Sequence, residues 1–454
     1  MIVMKFGGTS VQNAQAIAAV AGIVRGRQAE RPFVVVSALA KVTRELLALA
    51  RSAAAGDSAE LGRLLAGLKE RHFALAEELL SGNQGLREQT QAKLQELFSS
   101  LEAFSKGVCL IRELSPRSEA RIISFGELLS STIIAAYFNS SGLSCSWLDA
   151  RELIVTDESY LSAGVLWEPT ASRVRSAAEG LPEATEVVVT QGFIAADSKG
   201  FTSVLGFEGS DYSAALFARA LEAEAVEIWT DVDGIRTADP RRVSGTQRVP
   251  VISCREASVM AALGARVLHP LTMEPARLGN IPLRVRNTGR PEGEGSLVSA
   301  GEAVPKGHKS VAYVEDVLLV SLEDGGQRGV SALLSAFFGA GKDGLRPLLL
   351  CASERELQLT FKAEDRAALE ERLRLLPAWV RAGFSGGKAQ LSVIGSGLFP
   401  CPGLDEEVAR LAGTVYLAAR GAGLLSESFV IDASALDRTL SGVHSFLLSF
   451  RTGA

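Results

Sequence analysis

The chain has 454 residues, 47% of them hydrophobic, a mean hydropathy of +0.18 and a formal net charge of −5. That is enough for about two to four domains with ample core, too apolar for a disordered chain, and, with both charge signs mixed, not the footprint of a nucleic-acid binder. Five scattered cysteines without a CxxC pair read as reduced thiols. The N-terminus reads as a strand and not a signal peptide, and no apolar run reaches the roughly 18 residues of a membrane span, so a soluble, cytoplasmic protein without a membrane partner is expected.

Ile2-Val3-Met4 reads as a short buried strand. It delivers Lys5, then Gly7-Gly8, into a helix opened by Thr9 and Ser10 and running from Val11 to about Arg25. Such a turn lets backbone N–H groups approach an anion, and a lysine beside it suits a transferring phosphoryl group. A plain strand–helix turn with a surface lysine is the other reading, and no Walker loop is present. Phe33 to Val36 is a continuous apolar run ending at Ser37, as in a strand covered on both faces. Residues 43–105 are rich in helix formers. Arg121 to Glu127 leads into a helix at 128–139, which puts Glu127 where a strand meets a helix. Strands follow at 186–190 and 225–230, with a helix at 212–221 between them. The alternation predicts an α/β sandwich on a mainly parallel sheet over 1–299.

Turn formers and charges collect near 287–309, and a linker is expected at 300–308. Beyond it the pattern shrinks: a strand at 311–322, a helix at 329–339, two strands within 345–361 and a helix at 364–376. A further strand opens at Gln390, followed by a helix at 404–421 and a strand at 428–431. Two ferredoxin-like βαββαβ units, 309–385 and 386–454, fit this pattern; one irregular α+β domain is the alternative.

Polar residues gather at the C-terminal ends of the proposed strands of the first domain, where an open α/β sheet binds its ligand. They are Ser37 with Thr43, Glu127, the loop Gly206 to Asp211, and Thr230 to Gly234 followed by Asp239-Pro240-Arg241. One such cluster is ordinary turn chemistry; several on one edge point to a phosphate-handling site.

The motifs Lys5-Phe6-Gly7-Gly8-Thr9-Ser10-Val11, Ser37-Ala38 with Val42-Thr43, Phe125-Gly126-Glu127-Leu128 and Thr190-Gln191-Gly192-Phe193 resemble those of aspartate kinases. So do Trp229-Thr230-Asp231-Val232-Asp233-Gly234, Thr237-Ala238-Asp239-Pro240-Arg241 and Gly264-Ala265-Arg266-Val267-Leu268-His269-Pro270. The resemblance covers about residues 1–300 in order and spacing, and the rest is similar to paired ACT domains. It implies an amino-acid-kinase three-layer sandwich, and transfer of a phosphoryl group from MgATP to a carboxylate: L-aspartate to 4-phospho-L-aspartate, the first step of lysine, threonine and methionine biosynthesis.

By the same resemblance Lys5 and Asp211 are catalytic. Gly7, Gly8, Thr9, Ser10, Gly209, Ser210, Thr230, Asp231, Arg236, Arg241 and Arg266 face ATP, while Ser37, Thr43, Glu127, Phe193, Phe207 and Glu208 face the acceptor. Asp211 orients Lys5 or holds Mg2+ through water, and no dedicated metal site of protein residues is expected. His269 reads as a structural cap, and a homodimer through the ACT-like units is implied. A carboxylate is already a nucleophile at pH 7, so no general base is needed.

Two departures stand out. The family loop usually reads Gly-Arg-Gly-Gly-Ser-Asp, its arginine gripping a substrate carboxylate, but here it is Gly206-Phe207-Glu208-Gly209-Ser210-Asp211. Three readings follow: an aspartate kinase gripping its substrate another way, a kinase of a different carboxylic acid, or a catalytically silent regulatory homologue. In the regulatory half Ser353 and Glu354 match the effector segment, but Leu348 stands where the family has an acid. Lysine inhibition is therefore expected to be weak or absent, and a sub-millimolar inhibition constant would refute this.

Overall fold

Two apolar runs, Ile2–Phe6 (β1) and Phe33–Val36 (β2), are buried at all but one of their positions, so both faces of the sheet they build are covered. The computed structural model describes every residue except 207, 266–267, 269, 302–303, 340–343, 398–400, 422 and 452–454. It divides into two compact units, Met1–Ile235 with Leu271–Glu302, and Arg236–Pro270 with Ala303–Ala454.

In the first unit β1 and β2 join Cys145–Leu148 (β3), Val187–Gln191 (β4), Ala225–Thr230 (β5), Leu283–Asn287 (β6) and Ser296–Ser299 (β7), in the order β3-β4-β2-β1-β5-β6-β7. All neighbours are parallel except β6 and β7. Val155–Thr156, Ile194–Asp197 and Thr202–Val204 form a separate three-stranded sheet.

The longer helices are Ala14–Arg25 (α1), Val42–Ala55 (α2), Ser58–Leu79 (α3), Gln84–Ile111 (α4), Pro116–Ser140 (α5), Trp167–Glu179 (α6) and Gly209–Ala220 (α7). Punctuation cuts the long helical block of the sequence into α2, α3 and α4: Gly56 closes α2 at φ 75°, Asp57 caps α3 and Asn83 caps α4.

Three expectations change. Residues 121–127 are helical, because Ser115 caps and Pro116 starts a single helix, α5, in which Ile122 and Ile123 pack into the core. An 18-residue window of α5 is apolar enough for a membrane span, yet 78% of that window is buried inside the protein, as in a core helix. Helix α1 starts at Ala14 with Asn13 as its cap, so Gly7-Gly8 forms a turn of its own. Within the stretch that reads as linker-like, Ser296–Ser299 is instead a strand of this sheet, antiparallel to β6.

In the second unit six strands form one antiparallel sheet. They are Gly307–Asp324 (β8), Leu349–Ala352 (β9), Glu356–Lys362 (β10), Val380–Ser396 (β11), Val415–Arg420 (β12) and Ser426–Asp432 (β13), in the order β9-β10-β8-β11-β13-β12. The helices after residue 303 are Val330–Gly339 (α8), Arg366–Arg374 (α9), Leu404–Ala412 (α10) and Leu436–Arg451 (α11). The expected helix at 404–421 stops at Gly413, at φ 80°, and its second half is strand β12.

The two longest strands serve both βαββαβ units. The C-terminal half of β8 pairs with β10, and its Leu318, Val320 and Leu322 join the core of α8, β10 and α9. Its N-terminal half pairs with residues 390–396, and Val311 joins the core of α10, α11 and β13. Residues 307–314 thus complete the second ferredoxin-like unit, although they precede the first in the chain. Ala238 and Val243 belong to that same core, which ties 236–270 to this unit.

Candidate functional site

The C-terminal edge of the parallel sheet gathers most of the first-unit residues singled out by sequence. Lys5 lies in β1 next to the turn Gly7–Ser10, where Ser10 N–H donates to Gly7 O at 2.9 Å. A Cβ on Gly8 would meet Ala38 O at 2.9 Å, so only glycine lets this turn lie against the end of β2. Ser37 follows β2, and its hydroxyl donates to Ser210 Oγ at 3.0 Å. A Cβ on Gly192 would meet Ser210 Cβ at 2.6 Å, which packs the end of β4 onto the start of α7. Phe193 sits at φ 68°, and its N–H donates to Ser213 Oγ at 2.9 Å.

The charged centre is an ion pair. Lys5 Nζ lies 2.5 Å from Asp211 Oδ1, with both side chains largely buried. Asp211 is in the first turn of α7, so the helix that starts at this centre is α7 rather than α1. Its N-terminal N–H groups and dipole favour an anion there. Glu208, the residue preceding α7, sits at φ 54° with a half-buried side chain. Burial first, then repulsion from Asp211, raises its carboxyl above the usual range, against an opposing pull from Lys5.

Glu127 lies inside α5 rather than at a strand end, and its carboxyl is fully out of solvent. Ala38 N–H donates to Oε1 at 3.2 Å, while Oε2 has no hydrogen-bond partner among the described residues. Burial pushes this carboxyl up to about 8. Thr43 stands in the first turn of α2, beyond the Ala38–Val42 stretch that packs on Gly126 of α5.

On the other side of β1, Thr230 Oγ1 donates to Asp231 Oδ1 at 3.2 Å, with Asp231 exposed. Two residues not singled out from sequence enter here. Thr288 exchanges a hydroxyl hydrogen bond with Ser10 at 2.8 Å and sends its N–H to Thr230 O at 2.8 Å. Ser130 donates to Ser37 O at 2.8 Å. Neither carried a local signal: Thr288 sits in a turn-rich run, and Ser130 is one of several serines in a long helix.

Arg236 and Arg241 belong to the second unit, where Arg236 donates to Thr246 and Arg241 pairs with Asp239. Ser353 and Glu354 lie exposed in the turn between β9 and β10. Phe207, Arg266 and His269 lie outside the described residues.

A lysine held by a carboxylate, a glycine turn and a helix N-terminus can together neutralise a transferring phosphoryl group. A buried carboxyl oxygen without a partner beside them can receive a cation.

The model of the amino acid kinase family matches residues 1–287. The chain is 31% identical to lysine-sensitive aspartokinase 3 of Escherichia coli, over 98% of this chain and 99% of that one. It is 30% identical over 99% of its length to a chloroplastic bifunctional aspartokinase/homoserine dehydrogenase 2 of Zea mays, but spans only about half (51%) of the length of that relative. Among solved structures it is similar to E. coli aspartokinase III in complex with aspartate and ADP, with a TM-score of 0.85 and 30% identity, covering 99% of this chain and 100% of that one.

Proposed function

Because this chain belongs to the amino acid kinase family, and within it to the aspartokinases, we propose that it transfers the γ-phosphoryl group of ATP to the side-chain carboxylate of an acidic amino acid, with L-aspartate as the reference acceptor. The observation that carries this is the Lys5–Asp211 pair at 2.5 Å, set between the Gly7–Gly8 turn and the start of α7. A carboxylate oxygen attacks the γ-phosphorus as the bond from phosphorus to the ADP oxygen breaks. The products are an acyl phosphate and ADP, and no proton need move.

Lys5 counters the charge on the transferring group, and Asp211 fixes the lysine's position. The acceptor's ammonium group satisfies Glu127 Oε2, and Ser37, Thr43 and Phe193 border the acceptor; Thr230 and Asp231 face the nucleotide. No group of three or more metal-ligating side chains occurs among the described residues. The oxygen donors of Asp211 suit a magnesium ion that arrives on the nucleotide and keeps much of its water. Bound there, Mg2+ would screen the phosphate charges. Self-association is proposed through the second unit, whose sheet ends in β9 with Leu350 exposed.

The test measures ADP release together with hydroxylamine trapping of the acyl phosphate, using L-aspartate and MgATP. Lys5→Ala is expected to lower kcat by roughly 10³-fold with the fold intact by circular dichroism. Equal turnover by the variant, or ADP release without a trapped hydroxamate, would sink the proposal.

A further inference from the structure

We propose that Glu208 sets acceptor specificity at this site, favouring an acceptor that presents one reacting carboxylate and an ammonium group, with an uncharged group where aspartate carries its second carboxylate. The inference rests on the phosphoryl-transfer reading above.

The first argument is backbone strain. Glu208 holds φ at 54° between Gly206 and Gly209, a conformation that suits glycine. Strained side chains of this kind cluster where the group itself has a task. The second is that the carboxylate has no structural task. Although Glu208 is the residue preceding α7, its side chain makes no capping hydrogen bond, and it forms no ion pair with another described residue. It is nevertheless half-buried, in a place where an unpaired charge is costly.

The balance of charge points the same way. The Glu208 carboxyl is repelled by Asp211 and attracted by Lys5. Lys5 is already opposed by Asp211 at 2.5 Å. Across the Ser37–Ser210 hydrogen bond, Glu127 adds a fully buried carboxyl with one oxygen unpartnered. The reacting carboxylate of an acceptor finds Lys5 and the start of α7, and its ammonium finds Glu127. A second carboxylate finds Glu208, and like charges in a partly desolvated site repel strongly. An uncharged amide in that position instead accepts or donates a hydrogen bond without the repulsion. The acceptor class is thus an acidic amino acid whose backbone carboxyl is masked, with its side-chain carboxylate unmasked for phosphorylation.

The experiment compares L-aspartate with L-aspartate α-amide by hydroxamate trapping and ADP release, in the full chain and in Glu208→Gln and Glu208→Gly. The wild-type chain should show kcat/KM at least about tenfold higher for the α-amide. Glu208→Gln, which removes charge and keeps shape, should lower KM for aspartate by at least about tenfold and leave the α-amide within about twofold. Glu208→Gly, suited to the φ of this position, should follow the same direction. Wild-type preference for aspartate, or an acceptor ratio unchanged by Glu208→Gln, overturns the proposal while the kinase reading stands. Equal loss with both acceptors, together with a raised magnesium requirement, also overturns it, by assigning Glu208 to the nucleotide. No acyl phosphate from either acceptor in any variant overturns the phosphoryl-transfer reading, and this inference with it.

Discussion

Glu127 keeps its carboxyl out of water with the Ala38 N–H at Oε1 and no hydrogen-bond partner for Oε2 among the described residues, and its protonation therefore reports on both folding and binding. Its folded pKa is raised from 4.5 to about 8, so the folded chain holds a proton that the unfolded chain releases. Stability from this group is full below the ordinary carboxylate value and falls as pH rises through the window from about 4.5 to about 8. Glu127→Gln keeps the shape and lacks the proton, so its melting temperature should gain on wild type progressively across that window when no acceptor is bound. The same variant should raise the acceptor KM by at least about tenfold with a smaller change in kcat, since an ammonium loses a charged partner. A pH-independent difference in melting temperature would contradict the assignment. At this scale the local signals were those of strand ends, as at Lys5 and Thr230, and of turns and a helix start, as at Gly8, Ser37 and Asp211. Thr288 and Ser130 carried none, because their roles are hydrogen bonds to residues 278 and 93 positions away.

Among elements, the pair α3 and α4 shows how a polar residue can be buried as a neutral group. His72 is fully buried in α3, its Nδ1 donating to Leu68 O at 2.7 Å and its ring 5.8 Å from that of Phe98 in α4. Burial lowers its pKa from 6.5 to about 4. The folded state thus refuses a proton that the unfolded state takes. The stability this neutral histidine contributes is present above about 6.5 and is lost as pH falls from there toward about 4. His72→Leu should flatten the fall in urea midpoint between those two pH values; a slope identical to wild type would remove His72 from the account. Element type was legible where helix formers dominate, as over 43–105, although the break at Gly56-Asp57 and the helix start at Ser115-Pro116 emerge only in the structure. It failed where composition misled. Ile122 and Ile123 look like strand formers, but the cap at Ser115 and burial against the core hold them in α5. Residues 415–420 follow a helix in an alanine- and leucine-rich run, yet Gly413 ends that helix and Val415 pairs into the sheet.

For the whole molecule, the consequential feature is that order in the chain and membership of a core diverge. Val311 precedes the first βαββαβ unit in sequence and packs in the core of the second, beside Leu391, Leu404 and Phe429. Val311→Ala should cost roughly 2 kcal/mol. It should raise hydrogen exchange in α10, α11 and β13 while leaving α8 and α9 protected. Equal loosening of both sets would show one cooperative core instead of two.

Read alone, the sequence determined the α/β class and the mainly parallel sheet, and it pointed to a phosphate-handling edge. Those rest on local pattern: apolar runs four to six residues long, glycines at turns, and a lysine at a strand end. It also exposed the unusual Glu208, though not what that side chain faces. The tertiary structure alone decided the interleaving of the ferredoxin-like units, the grouping of 236–270 with the second unit, and the pairing of Lys5 with Asp211 across 206 positions of chain. The physical reason is the same in each case. Periodicity and turn chemistry act within about ten residues, whereas burial, ion pairing and strand register join segments whose separation in sequence leaves no local trace.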